Sequence, residues 1–125
     1  MSVPPRPPAG AVRLGQVAGV PVYLDRTWLF LAAFIAWTGW QAGRDLGTGG
    51  ALAYAAWLVL GILIAVLGHE VAHALSARLL GFRVHRIVAT LWGGHTAYDG
   101  TGTTPGRAAV IAVSGPIANL VLAGV

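Results

Sequence analysis

Two histidines and a glutamate stand at positions 69, 70 and 73, spelling His69-Glu70-Val71-Ala72-His73 inside the longest apolar stretch of the chain. On an α-helix, residues four apart return to nearly the same face, so both imidazoles can reach one metal ion with Glu70 beside it. The chemistry served by this pattern is hydrolysis. Two neutral imidazoles and one further ligand hold Zn²⁺ with a position open to water, and the glutamate takes that water's proton. Glu70 is the only glutamate in 125 residues that contain four histidines, so the arrangement is a specific one. The competing reading is a helix that carries polar residues for packing. The setting weighs against it: residues 51–68 contain no charge, and ionisable groups at membrane depth are costly and usually functional.

The elements that must hold this group belong to a membrane protein by composition. Hydrophobic residues make up 56%, charged residues 10%, and mean hydropathy is +0.71, leaving too little polar surface for a soluble domain of this size. The net charge of +4 rests on arginine alone, and no basic face interleaved with aromatics suggests nucleic acid, so the expected partners are a lipid bilayer and a protein substrate. Cysteine is absent, which excludes disulfides, thiolate catalysis and cysteine-ligated zinc.

In chain order, residues 1–10 carry Pro4, Pro5, Pro7 and Pro8 and read as a disordered or polyproline-like arm; residues 11–125 read as one membrane core. Alternating apolar residues from Val12 to Leu24 predict a short strand or hairpin at the membrane surface. Three transmembrane helices are expected at about 27–42, 51–80 and 106–125. Trp28, Trp37 and Trp40 mark the interfaces of the first, and a glycine-rich loop at 41–50 follows it. The second closes at Gly81, acting as a C′ residue. Between the second and third, residues 82–102 predict a membrane-associated β-hairpin. The fold class is thus mainly α, integral membrane. Arginines 6, 13 and 26 precede the first span, Arg44 lies after it, and Arg78, Arg83, Arg86 and Arg107 lie between the second and third. The positive-inside rule then puts the amino terminus and the hairpin in the cytosol, with the cell membrane as the expected location.

These motifs resemble the site-2 protease family of intramembrane zinc metalloproteases. The resemblance rests on Gly19-Val20-Pro21-Val22, on the ten residues from His69 to Arg78, on the Gly93-Gly94 pair, and on Ser114-Gly115-Pro116-Ile117-Ala118-Asn119. It implies cleavage of a peptide bond in or near a transmembrane segment of a substrate protein. His69 and His73 are then the zinc ligands and Glu70 the general base and later proton donor. Asn119, near the zinc, would hydrogen-bond a substrate carbonyl or the oxyanion, or instead join two helices. Gly93 and Gly94 would let an unwound substrate pair with the hairpin's strand edge, or simply form a turn.

The family's third zinc ligand is an aspartate in a Pro-x-Asp-Gly motif on a later membrane helix. No such motif occurs through Val125, so these residues are expected to be the amino-terminal portion of a protease, inactive alone. Asp99-Gly100 precedes the Asn119 segment and is not given the ligand role; His85 and His95 are expected at the surface. The alternative from another class is a proteolytically inactive membrane module that binds transmembrane segments. A soluble zinc peptidase is a third reading, and oligomeric state is left open.

Overall fold

The computed structural model describes residues 9–124, so the proline-rich arm expected at 1–10 lies outside the described residues except for its last two. Ala11–Val17 (β1) and Val20–Asp25 (β2) form an antiparallel hairpin. Val17 pairs with Val20 across Ala18 and Gly19, whose φ values of 51° and 81° make a two-residue turn twisted in the sense the strands need. Trp28–Ala42 (α1), a 3₁₀ turn at Arg44–Leu46 and Gly47–Leu79 (α2) follow, then Val84–Thr90 (β3), Gly93–Tyr98 (β4) and Pro105–Ala123 (α3).

The four strands form one sheet in the order β1-β2-β3-β4. The amino-terminal strand and the later hairpin, separate in the sequence reading, are joined by parallel pairing of Val22 with Ile87, Tyr23 with Val88 and Leu24 with Ala89. Parallel neighbours need a long crossover, and α1 with α2 supplies it. One face of the sheet rests on the carboxy-terminal half of α2, where Val20, Val22, Ala74 and Ile87 are buried against Leu67, Val71 and Val84. The apolar stripe Leu67, Val71 and Ala74 has helical spacing, so the sheet fixes the rotation of α2 at the turn that carries the histidines.

The expected loop at 41–50 is corrected: α2 begins at Gly47, inside it. Ala51 and Ala55 are buried, as are Ile35 and Gly39 of α1, and close packing of small residues extends the helix back through glycines whose propensity opposes it. At the other end of α2, Gly81 has φ of 89°, its N–H bonds the Arg78 carbonyl and the Phe82 N–H bonds the Ala77 carbonyl. This is a Schellman cap, and it turns the chain into β3. Helix α3 starts with Pro105 behind Thr104, whose hydroxyl accepts from the Arg107 N–H at 3.3 Å.

Two helices are long and apolar enough to cross a membrane, 44–79 and Pro105–Ala123, each with only 11% of its most apolar window buried. The expected third span at about 27–42 is not among them: α1 has 15 residues and reaches about 22 Å against a hydrocarbon core of about 30 Å. Large apolar side chains nonetheless point outward from all three helices, among them Phe30 and Phe34 of α1, Trp57 and Leu60 of α2, and Ile117 and Leu120 of α3.

Candidate metal centre

His69, Glu70 and His73 sit on the stretch of α2 whose Leu67, Val71 and Ala74 pack on the sheet, and one ligand atom from each lies within 4.8 Å of the others. Among the described residues no other cluster of histidine, aspartate or glutamate can hold a metal ion. The rings of His69 and His73 meet edge to face at 82°, with their Nε2 atoms 3.0 Å apart. Glu70 is 6% exposed, the one charged side chain buried among the described residues.

Helix α3 closes the side of the site opposite the sheet. The Ile111 carbonyl lies 2.6 Å from His73 Nδ1, the Ser76 and Ser114 hydroxyls lie 3.0 Å apart, and the Asn119 amide nitrogen lies 3.1 Å from His69 Nδ1. Between them is Gly115. A Cβ there would come within 2.6 Å of His69 Cε1, His69 Nε2 and His73 Nε2, so only a glycine lets α3 lie this close to the two rings. Two imidazole nitrogens 3.0 Å apart with a carboxylate oxygen within 4.8 Å are a donor set that fits a divalent cation such as zinc.

Strand β4 closes the other side over Glu70. The Thr96 hydroxyl lies 2.7 Å from Glu70 Oε2 and 3.1 Å from the Glu70 carbonyl. It has one proton to give, and the shorter contact to the carboxylate takes it. Gly94 presses against the same side chain: a Cβ there would stand 2.8 Å from Glu70 Cγ and 3.0 Å from Val66 Cγ1. Gly93 opens β4 opposite Thr90. β4 is an edge strand, with β3 on one side and no strand on the other among the described residues.

Two cavities meet at Glu70. One, of about 310 Å³, is lined by Ile62, Val66, His69, Trp92, Gly94 and Asn119; the other, of about 210 Å³, is bounded by His73, Thr96, Tyr98 and Ile111. Asn119 therefore faces both His69 and the larger cavity. The remaining histidines and Asp99 stand apart from the cluster. His95 is exposed on β4, and the Asp99 carboxylate accepts from the Thr101 hydroxyl at 2.6 Å and its N–H at 3.0 Å. Those hydrogen bonds hold the Asp99 carboxyl below the usual range, with weaker help from His85 and Arg83.

Thr96, Gly115 and the Ile111 carbonyl are the parts of the site that the sequence reading missed. Gly115 lies inside a motif already singled out, but nothing in a lone threonine on a strand points to a helix 26 positions earlier in the chain.

Residues 57–125 match the sequence profile of peptidase family M50. The chain is 36% identical over 118 residues to a Mycobacterium tuberculosis protein named "Putative zinc metalloprotease Rip3", covering 90% of this chain and 30% of that one. It is 29% identical over 117 residues to a Synechocystis protein named "Putative zinc metalloprotease sll0528", covering 89% of this chain and 30% of that one. The chain thus spans about 30% of the length of these curated relatives. No solved structure matches it. With the profile covering more than half of the chain and the His69-Glu70-His73 cluster inside the matched region, the chain belongs to peptidase family M50, the site-2 protease family.

Proposed function

We propose that this protein acts as an intramembrane zinc metalloendopeptidase that cleaves transmembrane segments of substrate proteins. The observation that carries this reading is the pairing of His69 Nε2 and His73 Nε2, 3.0 Å apart under Gly115, beside a buried Glu70 carboxylate held by Thr96. Zinc held by His69 and His73 supplies the polarisation of water and of the scissile carbonyl that peptide hydrolysis needs. Glu70 takes a proton from the attacking water as the new C–O bond forms, and returns it to the amide nitrogen as the C–N bond breaks. Thr96 keeps the carboxylate turned toward that water. Burial of Glu70 leaves few competing water contacts for its charge.

The substrate path follows from the edge of β4. Gly93 and Gly94 open that strand, and Gly94 lines the larger cavity together with Trp92. An extended segment pairing with this edge would bring a backbone carbonyl past Glu70, with no side chain at Gly94 to block it. Asn119, on the far wall, faces the same carbonyl.

The membrane reading is supported by the outward apolar side chains of all three helices, a surface unsuited to water, and by the low burial of the two long helices. In this reading α1 packs on α2 as a short third span, and the arginine distribution orients the amino terminus and the sheet toward the cytosol in a multi-pass protein of the cell membrane.

The test is zinc content measured beside cleavage of a transmembrane substrate by the full-length protein. Glu70→Gln is expected to keep zinc and lose cleavage, and His69→Ala to lose both. An active Glu70→Gln protein refutes the mechanism. A zinc-replete wild type that captures transmembrane segments without cutting them would favour the binding-module alternative.

A further inference from the structure

We propose that Arg78 and Arg83 form a binding site for a phosphate group at the carboxy-terminal end of α2, with an anionic phospholipid headgroup as its source. A cavity of about 340 Å³ lies there, between the β1–β2 turn and the start of β3, bounded by Ala18, Gly19, Arg78, Gly81, Phe82 and Arg83. It shares no lining residue with the metal centre. Among the described residues no acidic side chain lines it, so two permanent positive charges face one concavity.

The two arginines are presented differently. Arg78 donates from Nη1 to the Ala18 carbonyl, in the turn where Ala18 has φ of 51°. That bond ties the turn to the end of α2 and fixes the guanidinium at the cavity wall, leaving most of its N–H donors for a ligand. Arg83 acts weakly on Asp99, coming last among the causes that lower the Asp99 carboxyl, and that carboxylate is already bonded to Thr101. The Arg83 charge is therefore not neutralised from that side. A helix carboxy terminus opposes anions through its unpaired carbonyls. Here the Ser76, Ala77 and Arg78 carbonyls accept from the Leu80, Phe82 and Gly81 N–H groups, so the Schellman cap removes part of that opposition.

Phosphate oxygens are arranged tetrahedrally, so two guanidiniums can approach one group from different sides, whereas a planar carboxylate is satisfied by a single fork. The cavity has room for such a group with several waters, at about 30 Å³ each. Two observations favour a lipid as the source. Leu75 and Leu79, four apart on the last turns of α2, are 40% and 88% exposed, an apolar flank suited to acyl chains rather than to water. The 33 residues of α2 reach about 50 Å, enough to cross the hydrocarbon core and leave the last turn among the headgroups. The lipid source rests on the membrane reading above; the phosphate chemistry does not.

The experiment titrates the detergent-solubilised protein with phosphatidylglycerol, with phosphatidylcholine, whose choline cation opposes the two arginines, and with inorganic phosphate, and counts bound molecules by native mass spectrometry. The wild type is expected to retain phosphatidylglycerol in preference to the other two. Arg83→Gln should weaken that binding about 5-fold, and Arg78→Gln combined with it about 30-fold. Arg44→Gln, which removes an exposed arginine bonded to Gln41 at the other end of α2, should leave it unchanged. Equal loss in Arg44→Gln and Arg83→Gln, or no arginine-dependent binding of any probe, overturns the proposal. Inorganic phosphate binding with the same dependence on Arg83, while neither lipid shows any, upholds the phosphate site and overturns the lipid source. Arg78→Gln also breaks the bond to Ala18, so Arg83→Gln decides the matter if the double variant fails to fold.

Discussion

Replacing Gly115 with alanine adds one methyl group, and the structure gives the size of its effect. The new Cβ would sit 2.6 Å from His69 Cε1, His69 Nε2 and His73 Nε2, where ordinary contact begins at 3.4 Å, so the rings or α3 must retreat by about 0.8 Å. Metal ligands tolerate displacements of only about 0.2 Å before geometry suffers. Overpacking of this kind costs about 1–3 kcal/mol, and if that strain is felt in the bound state zinc affinity falls by roughly 5- to 150-fold. The same substitution at Gly61, on α2 with nothing within 4 Å of the added carbon, is the control. It should leave zinc binding unchanged and raise stability by about 0.4–1 kcal/mol, since alanine has less backbone freedom to lose on folding. Chelator competition and thermal unfolding in detergent measure both quantities. If Gly115→Ala binds zinc as tightly as Gly61→Ala, the close-packing argument is wrong.

Thr96→Val should retain zinc but lower kcat by about 10- to 150-fold in the full-length enzyme, because a hydrogen bond to a carboxylate is worth about 1.5–3 kcal/mol; Thr96→Ser should restore most of the rate, and equal loss in both variants would make the role structural. A cysteine at Asp45 should react with an impermeant thiol reagent outside intact cells and one at Arg83 should not, the reverse pattern refuting the arginine-based orientation. The 125 residues alone should not hydrolyse a transmembrane substrate, since the described cluster provides two imidazoles where a catalytic zinc normally has three protein ligands; chelator-sensitive cleavage by them would refute this.

The metal-binding reading was legible in the sequence because it depends on local geometry. His69 and His73 are four apart, and any α-helix brings such a pair together whatever surrounds it. Gly81 as a helix stop was equally local, because a left-handed C′ residue favours glycine. The start of α2 at Gly47 was not legible, since contacts of Ala51 and Ala55 with another helix override the preference of a glycine-rich stretch for a loop.

Tertiary structure alone decided what surrounds the histidines. Parallel pairing of Val22 with Ile87 builds one sheet from two hairpins 60 residues apart in the chain, and strand pairing of that range leaves no mark in either strand. Once that sheet lies on Leu67, Val71 and Ala74, β4 delivers Thr96 to Glu70, and α3 on the opposite side delivers the Ile111 carbonyl, Gly115 and Asn119 to the imidazoles. A sequence names the residues able to do chemistry. Which hydroxyl, carbonyl or bare backbone faces them depends on how separate elements pack, and that is set by the summed burial of many apolar contacts rather than by any one position.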